Sequence, residues 1–454
     1  MMRTVGILFF CGMGVLCLSL RAQSVAESVA VEKSIPQMDL QGCLQRALER
    51  NADILKTKEE LKRLKGVVVE VRAQALPNVS ASATAAVEKQ ELASSSMPDM
   101  NQTYWRSGVQ VTQLIFSGGG VSAAMDMARL TEERAFLNLS ATIDQIIFDV
   151  RKAYYNVLMN RALIEVQEIS VRLLQEELEN QKKRLATGTV TRFNVLRAEV
   201  ELSNAKPQLI RARNNYKLAL VALAKLMAVD YERFDSQEAP FEIIGKLTYA
   251  PVEFSLEEAI STAIDHRPEY KALKKQVEIQ QKELTVSRSG YFPKLSLFGG
   301  YDVDSDRTDA SLEEKNGGWS AGIQGNWDLF DGLLTQGKVD QSQAKLISAQ
   351  ISVEESRRNI EWEVREAFFR WQEARELIAS QEKNVEQSQE SLRMAKARFD
   401  VGAATQLDVL NAQVAQTAAR VNELQARYDY HMAVASLERA TAAPMKMEGK
   451  SASE

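Results

Sequence analysis

Two long polar stretches of the chain carry apolar residues at alternating spacings of three and four. The first covers residues 143–185 and the second covers residues 357–399. A seven-residue repeat sustained over such a length predicts a coiled-coil seam along one face of a long helix. Gly188 and Gly402 follow these stretches. Because glycine readily ends a helix in the left-handed conformation, we predict that each long helix turns back there and forms a hairpin.

Four shorter stretches alternate between apolar and polar residues, which is typical of β-strands with two different faces. They lie at about residues 77–93, 103–116, 293–305 and 318–330. Such strands could cover a soluble core with their apolar face, or they could span an outer membrane, for which a tilted strand needs ~9–11 residues. We favour the membrane interpretation because no other segment is apolar enough to bury that face. Trp105, Trp319 and Trp327 would then form a lipid-facing aromatic girdle.

The chain contains an internal duplication. When the sequence is aligned with itself, Gly188 meets Gly402, Thr191 meets Thr405, and the two strand pairs also coincide. We therefore predict two repeats, each with a helix, two strands and a long helical hairpin, and a fold that is mainly α with a small β part. The predicted boundaries are 1–22 for a signal peptide, 39–228 for the first repeat, 229–253 for an irregular linker, 254–440 for the second repeat, and 441–454 for a disordered tail.

Composition and charge exclude several classes of function. The formal net charge of −5 over 454 residues gives no reason to expect nucleic acid as a partner. Only two histidines are present, and once the signal peptide is removed Cys43 is the single cysteine. No catalytic Ser–His–Asp or Cys–His set, CxxC pair or phosphate-binding loop can be recognised. We therefore predict a protein that is not an enzyme and has no cofactor or metal.

The order and spacing of these elements resemble the TolC-like outer-membrane efflux family. The resemblance covers essentially the whole mature chain. Its marks are "LFDG" at residues 329–332, "VGAATQLDVLNAQ" at 401–413, and the related "TGTVTRFNVLRAE" at 187–199. It implies a homotrimer in the bacterial outer membrane, in which four strands from each chain complete a shared twelve-stranded barrel, continued by a helical barrel into the periplasm. Physics supports part of this, because four strands cannot close a barrel and open strand edges are not tolerated in lipid.

The resemblance also implies a function and partners. Members of this family are exit ducts of tripartite efflux or type I secretion systems. They receive substrates from a periplasmic adaptor, or membrane fusion protein, and from an inner-membrane pump, for which we favour the resistance-nodulation-division type. The alternative is a periplasmic coiled-coil adaptor or a structural scaffold without a pore, which would share the heptad pattern. The nature of the cargo stays open.

The candidate functional residues lie at the two helical tips. By the resemblance, the aperture-lining positions are Asn194, Asp408 and Asn411, of which only Asp408 is acidic. Thr405 and Asp408 also have the spacing of a helix capping box, so Asp408 could cap its helix alone or could cap it and line the aperture. The adaptor-contact positions are Arg184, Gly188, Thr191, Arg398, Gly402 and Thr405. The two arginines could instead complement the helix dipole at the end of each long helix.

Overall fold

The computed structural model describes residues 37–90, 100–229, 241–305 and 315–442. The signal peptide expected at 1–22 and most of the tail expected at 441–454 lie outside the described residues. Long helices dominate and one small antiparallel sheet accompanies them, so the predicted fold class is confirmed. None of the described helices combines the length and the apolar character that a membrane-crossing helix requires.

The elements follow one another in the same order in both halves of the chain. The first half contains β1 (Gln37–Met38), α1 (Leu40–Arg50), α2 (Ala52–Ala73), β2 (Asn78–Gln90), β3 (Met100–Phe116), α3 (Gly120–Ala186) and α4 (Arg192–Leu226). After β4 (Glu242–Ile243), the second half contains α5 (Leu256–His266), α6 (Pro268–Arg288), a 3-10 turn (Ser289–Tyr291), β5 (Lys294–Ser305), β6 (Lys315–Asn326), α7 (Leu334–Asp400) and α8 (Gln406–Thr441).

Each half begins with two helices where the sequence pattern predicted one. In the first half the break is at Asn51, whose backbone is extended and whose side-chain oxygen accepts the N–H of Asp53 at 2.9 Å, which starts α2. In the second half the break is at Arg267, whose ψ of 120° is imposed by the following Pro268. The expectation of a single continuous helix was therefore wrong at equivalent places in both halves.

The two longest helices, α3 and α7, have 67 residues each and are about 100 Å long at ~1.5 Å per residue. Their heptad positions are largely buried, as Val150, Val157, Val364 and Ile378 show. Near the tips, α3 packs on α4 and α8, and α8 packs on α7; near the sheet, α3 packs on α2 and α6, and α6 packs on α7. The helices thus form one layer whose free edges are α2 followed by α4 on one side, and α7 on the other.

The main sheet has four antiparallel strands in the order β2-β3-β5-β6. Its register aligns Ala81, Val109, Tyr301 and Trp319 in one row across all four strands, and places polar or glycine residues such as Gln110 in the next row. Since alternate residues point to opposite faces, the sheet has one mainly apolar face and one mainly polar face, with Leu114 and Phe298 on the mainly polar one. Among the residues that the structure describes, nothing pairs with the outer edges of strands β2 and β6. They adjoin α2 and α7, so the free edges of sheet and helices coincide.

Strand β6 ends earlier than the sequence pattern predicted. It stops at Asn326, not at residue 330, so the predicted girdle residue Trp327 lies beyond the strand. The Trp327 Nε1–H donates to the carbonyl of Tyr291 at 3.1 Å, which holds the ring at the strand-to-helix junction. Gly332 and Leu333 then adopt left-handed conformations and redirect the chain into α7. The alternation of apolar and polar residues extends beyond the end of the strand because the turn that follows also contains apolar residues. The pattern therefore predicted a strand that was too long.

An extended segment at residues 241–252 crosses the waist of the molecule. It begins with β4, which pairs in parallel with β1. From the α3 side, Tyr154 Oη–H donates to the carbonyl of Ile244 at 2.6 Å; from the α8 side, Tyr430 Oη–H donates to the carbonyl of Ala250 at 2.8 Å. Side chains of both halves therefore satisfy this backbone and tie the halves together, a feature that the sequence, read as an irregular linker, did not predict.

Candidate functional site

The two helical tips have the same turn geometry. Gly188 has φ of 73° and Gly402 has φ of 77°. At the second tip the Gly402 N–H donates to the Phe399 carbonyl at 3.0 Å, and the Ala403 N–H donates to the Arg398 carbonyl at 2.7 Å. These bonds satisfy carbonyls that the end of α7 leaves without a helical partner. A Cβ atom on either glycine would meet nothing within 4 Å, so the glycine is required by backbone conformation and not by space.

The second tip starts its returning helix with a complete capping box. The Asp408 carboxylate accepts the Thr405 N–H at 2.8 Å and the Thr405 Oγ1–H at 2.7 Å, while the Asp408 N–H donates to Thr405 Oγ1 at 3.3 Å. The backbone and side-chain hydrogen bonds from Thr405 lower the pKa of Asp408, helped by the positive charge of Arg398. Asp408 is exposed and therefore carries its charge at neutral pH while it caps α8.

The first tip lacks this box. Thr191 is the N-cap of α4, but its side chain accepts no backbone N–H; its Oγ1–H donates to the Asn194 Oδ1 at 3.2 Å instead. The Asn194 carbonyl accepts the side-chain Nε2–H of the buried Gln406 at 3.2 Å, which joins α4 to α8. An asparagine at this position brings no charge, so the two tips differ electrostatically although their backbones match.

Arg184 connects the two hairpins. Its Nη2 lies 3.3 Å from Asp400 Oδ1, and its guanidinium lies over the Phe399 ring at 4.6 Å from the centroid. Arg398 instead donates to the carbonyl of Ala403 at 3.4 Å, within its own turn. The two arginines, which each precede the glycine of their turn by four residues, therefore have different partners. Both tips lie at the same level, because this contact and the Gln406 contact join them directly.

The three predicted aperture-lining residues differ in exposure. Asp408 and Asn411 are exposed and Asn194 is partly buried. Their role in lining an aperture stays a prediction, since such an opening would be formed by several copies of the chain. Sequence reasoning missed Asp400 and Gln406, which make the contacts between hairpins; only their three-dimensional neighbours reveal them, and the sequence pattern carried no signal for them.

The apolar face of the sheet is open to its surroundings. Trp319 is 80% exposed and its row neighbours Tyr301 and Val109 are also exposed. Trp105 is partly buried, and its backbone N–H donates to Ser305 Oγ at 3.0 Å. The opposite face carries the Arg106–Asp304 ion pair at 3.7 Å. A sheet with an exposed apolar face and a polar reverse suits a boundary between lipid and water.

Metal-binding side chains do not cluster in the described part of the chain. No group of three or more histidine, cysteine, aspartate or glutamate side chains within them could hold a metal ion. Burial raises the pKa of the Cys43 thiol to about 12, so this cysteine is held as an inert core residue. The His431 Nε2 contacts the Thr248 carbonyl at 3.1 Å in the waist, and the His266 Nδ1 contacts the Thr262 carbonyl at 3.1 Å.

Comparisons with known proteins agree with this architecture. Outer membrane protein TolC of Vibrio cholerae is 24% identical over 321 residues, which cover 70% of this chain and 72% of that protein. The alkaline protease secretion protein AprF of Pseudomonas aeruginosa is 24% identical over 312 residues, 68% of this chain and 63% of that protein. The CmeC outer membrane channel of Campylobacter jejuni superposes with a TM-score of 0.80 at 17% identity, over 88% of this chain and 85% of that one.

The family assignment rests on both halves of the chain. The model of the outer membrane efflux protein family matches residues 43–229 and again residues 259–443, which together include nearly all the described elements. The relatives found are channel proteins, not enzymes. This chain therefore belongs to the outer membrane efflux protein family and is an efflux or secretion duct of the outer membrane.

Proposed function

We propose that three copies of the chain form a closed ring that acts as the exit duct of a tripartite efflux or type I secretion system. The observation that carries this proposal is the open-edged sheet. The apolar row of Ala81, Val109, Tyr301 and Trp319 crosses all four strands, and within the described residues β2 and β6 have no partner on their outer sides. In lipid, each unpaired backbone group on such an edge costs several kcal/mol, roughly as in an apolar solvent.

Self-assembly removes both edges at once. Strand β6 of one copy pairs with β2 of the next, and the α7 edge of the helical layer meets the α2 and α4 edge of the same neighbour. A contact between two different surfaces generates a ring if the rotation closes. Three copies supply twelve strands, more than the ~8 whose interior side chains already fill, so the barrel encloses a water-filled lumen.

We further propose that the tips face the periplasm and receive an adaptor and an inner-membrane pump. AprF is named as a secretion protein and CmeC as an outer membrane channel, which fits transport by this chain without naming its cargo. The turn residues Gly188 and Gly402 and their neighbours are exposed at the far end from the sheet. They are the surface available to an adaptor.

In the trimer, Asp408 contributes one carboxylate from each copy to the aperture. Its capping bonds fix the position of the charge and keep it ionised, and a ring of like charges at a constriction favours cations. Asn194, at the equivalent place in the first tip, and Asn411 line the same opening without charge. The aperture is therefore weakly cation-selective.

Two measurements test the proposal. The detergent-purified protein should have the mass of three chains and should form conducting channels in planar bilayers. Asp408→Asn keeps an oxygen that can accept the Thr405 N–H but removes the charge, so cation selectivity should fall. Asn194→Asp makes the opposite change and should raise it. Asp340→Asn, an exposed carboxylate near the other end of α7, is the matched control.

The outcomes distinguish the proposed duct from the proposed role of Asp408 in its aperture. A soluble monomer would overturn the duct itself. A conducting trimer whose selectivity is unchanged by both tip variants would remove Asp408 from the aperture and leave it with its capping role alone.

A further inference from the structure

Each half of the chain has an exposed arginine where a helix leads into the sheet. Arg72 lies in the last turn of α2 and Arg288 in the last turn of α6. Each precedes by five residues the proline that leads into the next strand, Pro77 in the first half and Pro293 in the second. Both side chains are exposed, and within the described residues neither has a carboxylate partner. The duplication therefore places an unpaired positive charge at the same position in each half.

Arg288 lies on the convex side of the helical layer. On α6, Lys282 faces α3 and donates to Asp126 at 2.8 Å. Ser287 faces α7 and lies 2.7 Å from the hydroxyl of Ser342. At ~3.6 residues per turn these two positions are about 140° apart around α6. Neighbours less than 180° apart bend the layer towards the side between them, which becomes the inside of a closed ring. Arg288 lies about 170° from the middle of that side by the same measure, so it points outward.

Arg72 has the equivalent position, because the α2–α3 pair repeats the α6–α7 pair. Leu64 in α2 and Gln280 in α6 are both buried, and each precedes its arginine by eight residues. The same separation gives the two arginines the same direction relative to the buried side of their helices. Both charges are therefore on the outer surface of the layer.

The carboxylates nearest to this level lie on other sides of their elements. Glu70 is two residues from Arg72, which turns it by about 200° around α2. Asp331 accepts the N–H of Thr335 at 2.8 Å and so caps the start of α7. Asp340 lies on the opposite side of α7 from the residue that contacts α6, also two residues away. The outer surface at the ends of α2 and α6 therefore keeps a net positive charge.

Aromatic side chains mark the boundary of the membrane just above the arginines. Tyr291 is 50% and Trp327 is 56% exposed, and both ring types are enriched at the level of lipid headgroups. Arg288 lies three residues below Tyr291, about 6 Å at the ~2 Å rise of a 3-10 turn. Each headgroup layer is about 5–8 Å thick, given a ~30 Å hydrocarbon core in a bilayer of ~40–45 Å. The Arg288 guanidinium is thus at the depth of the lipid phosphates.

We propose that Arg72 and Arg288 bind the headgroup phosphates of anionic phospholipids in the periplasmic leaflet. The inference rests on the proposed function, because it requires the sheet to lie in the membrane and the helices in the periplasm. A guanidinium donates two parallel hydrogen bonds to a phosphate, and a negative leaflet attracts basic residues next to it. A lipid is the ligand that the position favours, since the charges lie directly below an exposed apolar and aromatic surface. In the trimer the arginines of all copies form a belt around the rod.

A lipid titration tests these sites. Trimers in nanodiscs of phosphatidylcholine receive increasing amounts of phosphatidylglycerol, and native mass spectrometry counts the phosphatidylglycerol molecules that stay bound. Arg72→Gln with Arg288→Gln should lower the affinity of each site for phosphatidylglycerol roughly fivefold, the effect of one basic residue at an anionic leaflet. Arg72→Lys with Arg288→Lys keeps the charge and should retain most of the affinity.

Lys58→Gln with Lys274→Gln is the matched control. These exposed lysines also occupy equivalent positions in α2 and α6, fourteen residues before the arginines. They lie within about 40° of the same side but about 21 Å farther from the sheet, well beyond the Debye length of ~8–10 Å. The control should bind phosphatidylglycerol as the unmodified chain does. An equal loss in the control, or no loss in the arginine variant, would overturn the proposal.

Two further arms identify what the arginines bind. If they only complement the helix dipoles, their loss should lower the dissociation temperature of the trimer equally with and without phosphatidylglycerol, and that result would overturn the lipid sites. Inorganic phosphate added to phosphatidylcholine nanodiscs should not stabilise the trimer; if it does so as well as phosphatidylglycerol, the sites bind phosphate ions and the assignment to lipid fails. A conducting trimer without preference for phosphatidylglycerol overturns the lipid sites alone, whereas a soluble monomer overturns the duct as well.

Discussion

A substitution at Gly402 tests the free-energy cost of the left-handed backbone conformation separately from any effect of side-chain packing. Gly402 has φ of 77°, and a Cβ atom there would touch nothing. Gly402→Ala therefore adds no steric contact and changes only conformational preference. The left-handed conformation costs an L-residue roughly 1–2 kcal/mol, and the lower entropy of the unfolded alanine chain offsets about 0.4–1 kcal/mol of it. We expect a net loss of about 1 kcal/mol in the stability of the tip.

Hydrogen exchange of individual amides is the appropriate assay, because the tip can open without unfolding the rods. The Ala403 N–H and the Thr405 N–H are both bonded within the turn, to the Arg398 carbonyl and to the Asp408 carboxylate. A loss of ~1 kcal/mol should make them exchange roughly five times faster. Amides in the middle of α7 should not change.

Gly66→Ala provides a control of opposite sign. Gly66 lies inside α2, and a Cβ atom there would also meet nothing within 4 Å. In a helical conformation alanine is favoured over glycine by about 1 kcal/mol, so amides of α2 should exchange more slowly. If Gly402→Ala left the tip amides unchanged or protected them further, the glycine would not be required by its left-handed backbone and the reasoning for both tips would fail.

Three further predictions concern the core and the waist. Asn51→Ala should cost roughly 2–3 kcal/mol in a denaturant titration, because it removes the cap of α2 and leaves the Leu226 carbonyl without its 3.0 Å donor. Since burial raises the pKa of Cys43 from about 9 to about 12, the folded protein keeps a proton that the unfolded chain loses. Its stability should therefore fall as the pH rises through that window and stay constant below it, and Cys43→Ala should reduce the slope. Gly245→Ala would place a Cβ 2.5 Å from the Tyr154 hydroxyl at a left-handed φ of 133°, so near-ultraviolet circular dichroism should show the waist aromatics displaced and the melting temperature lowered.

Periodic features were the most predictable part of the fold. The heptads of α3 and α7 and the alternation in the strands each reflect one face buried or exposed along a whole element, and many residues contribute to the same pattern. The glycine turns at 188 and 402 were also predictable, since a left-handed residue leaves a local signature. The capping box at Thr405 and Asp408 is local as well, and the structure shows both of its bonds.

Contacts between distant segments could not be predicted in the same way. The Arg184–Asp400 pair and the bond from Gln406 to the Asn194 carbonyl depend on how two hairpins lie side by side, and neither hairpin alone encodes that placement. The end of β6 was misplaced for a related reason. Trp327 continues the apolar alternation, but its partner is the Tyr291 carbonyl in another element. The ordered structure of the waist was not predicted, because its backbone forms hydrogen bonds with side chains from α3 and α8 and not with a regular ladder of strands.

The duplication explains why the two edges of the chain differ although its architecture repeats. One edge ends in α4, the returning helix of the first hairpin, and the other ends in α7, the outgoing helix of the second hairpin. Because α7 is the equivalent of α3 and not of α4, the two edges are formed by different parts of the repeated unit. In the proposed ring each copy therefore joins the next through unlike edges, and repetition of that contact about an axis along the rods closes the strands and the helices together. The tips add a second difference between the halves, since Asp408 but not Asn194 carries a charge, so the proposed aperture alternates between charged and neutral hairpins.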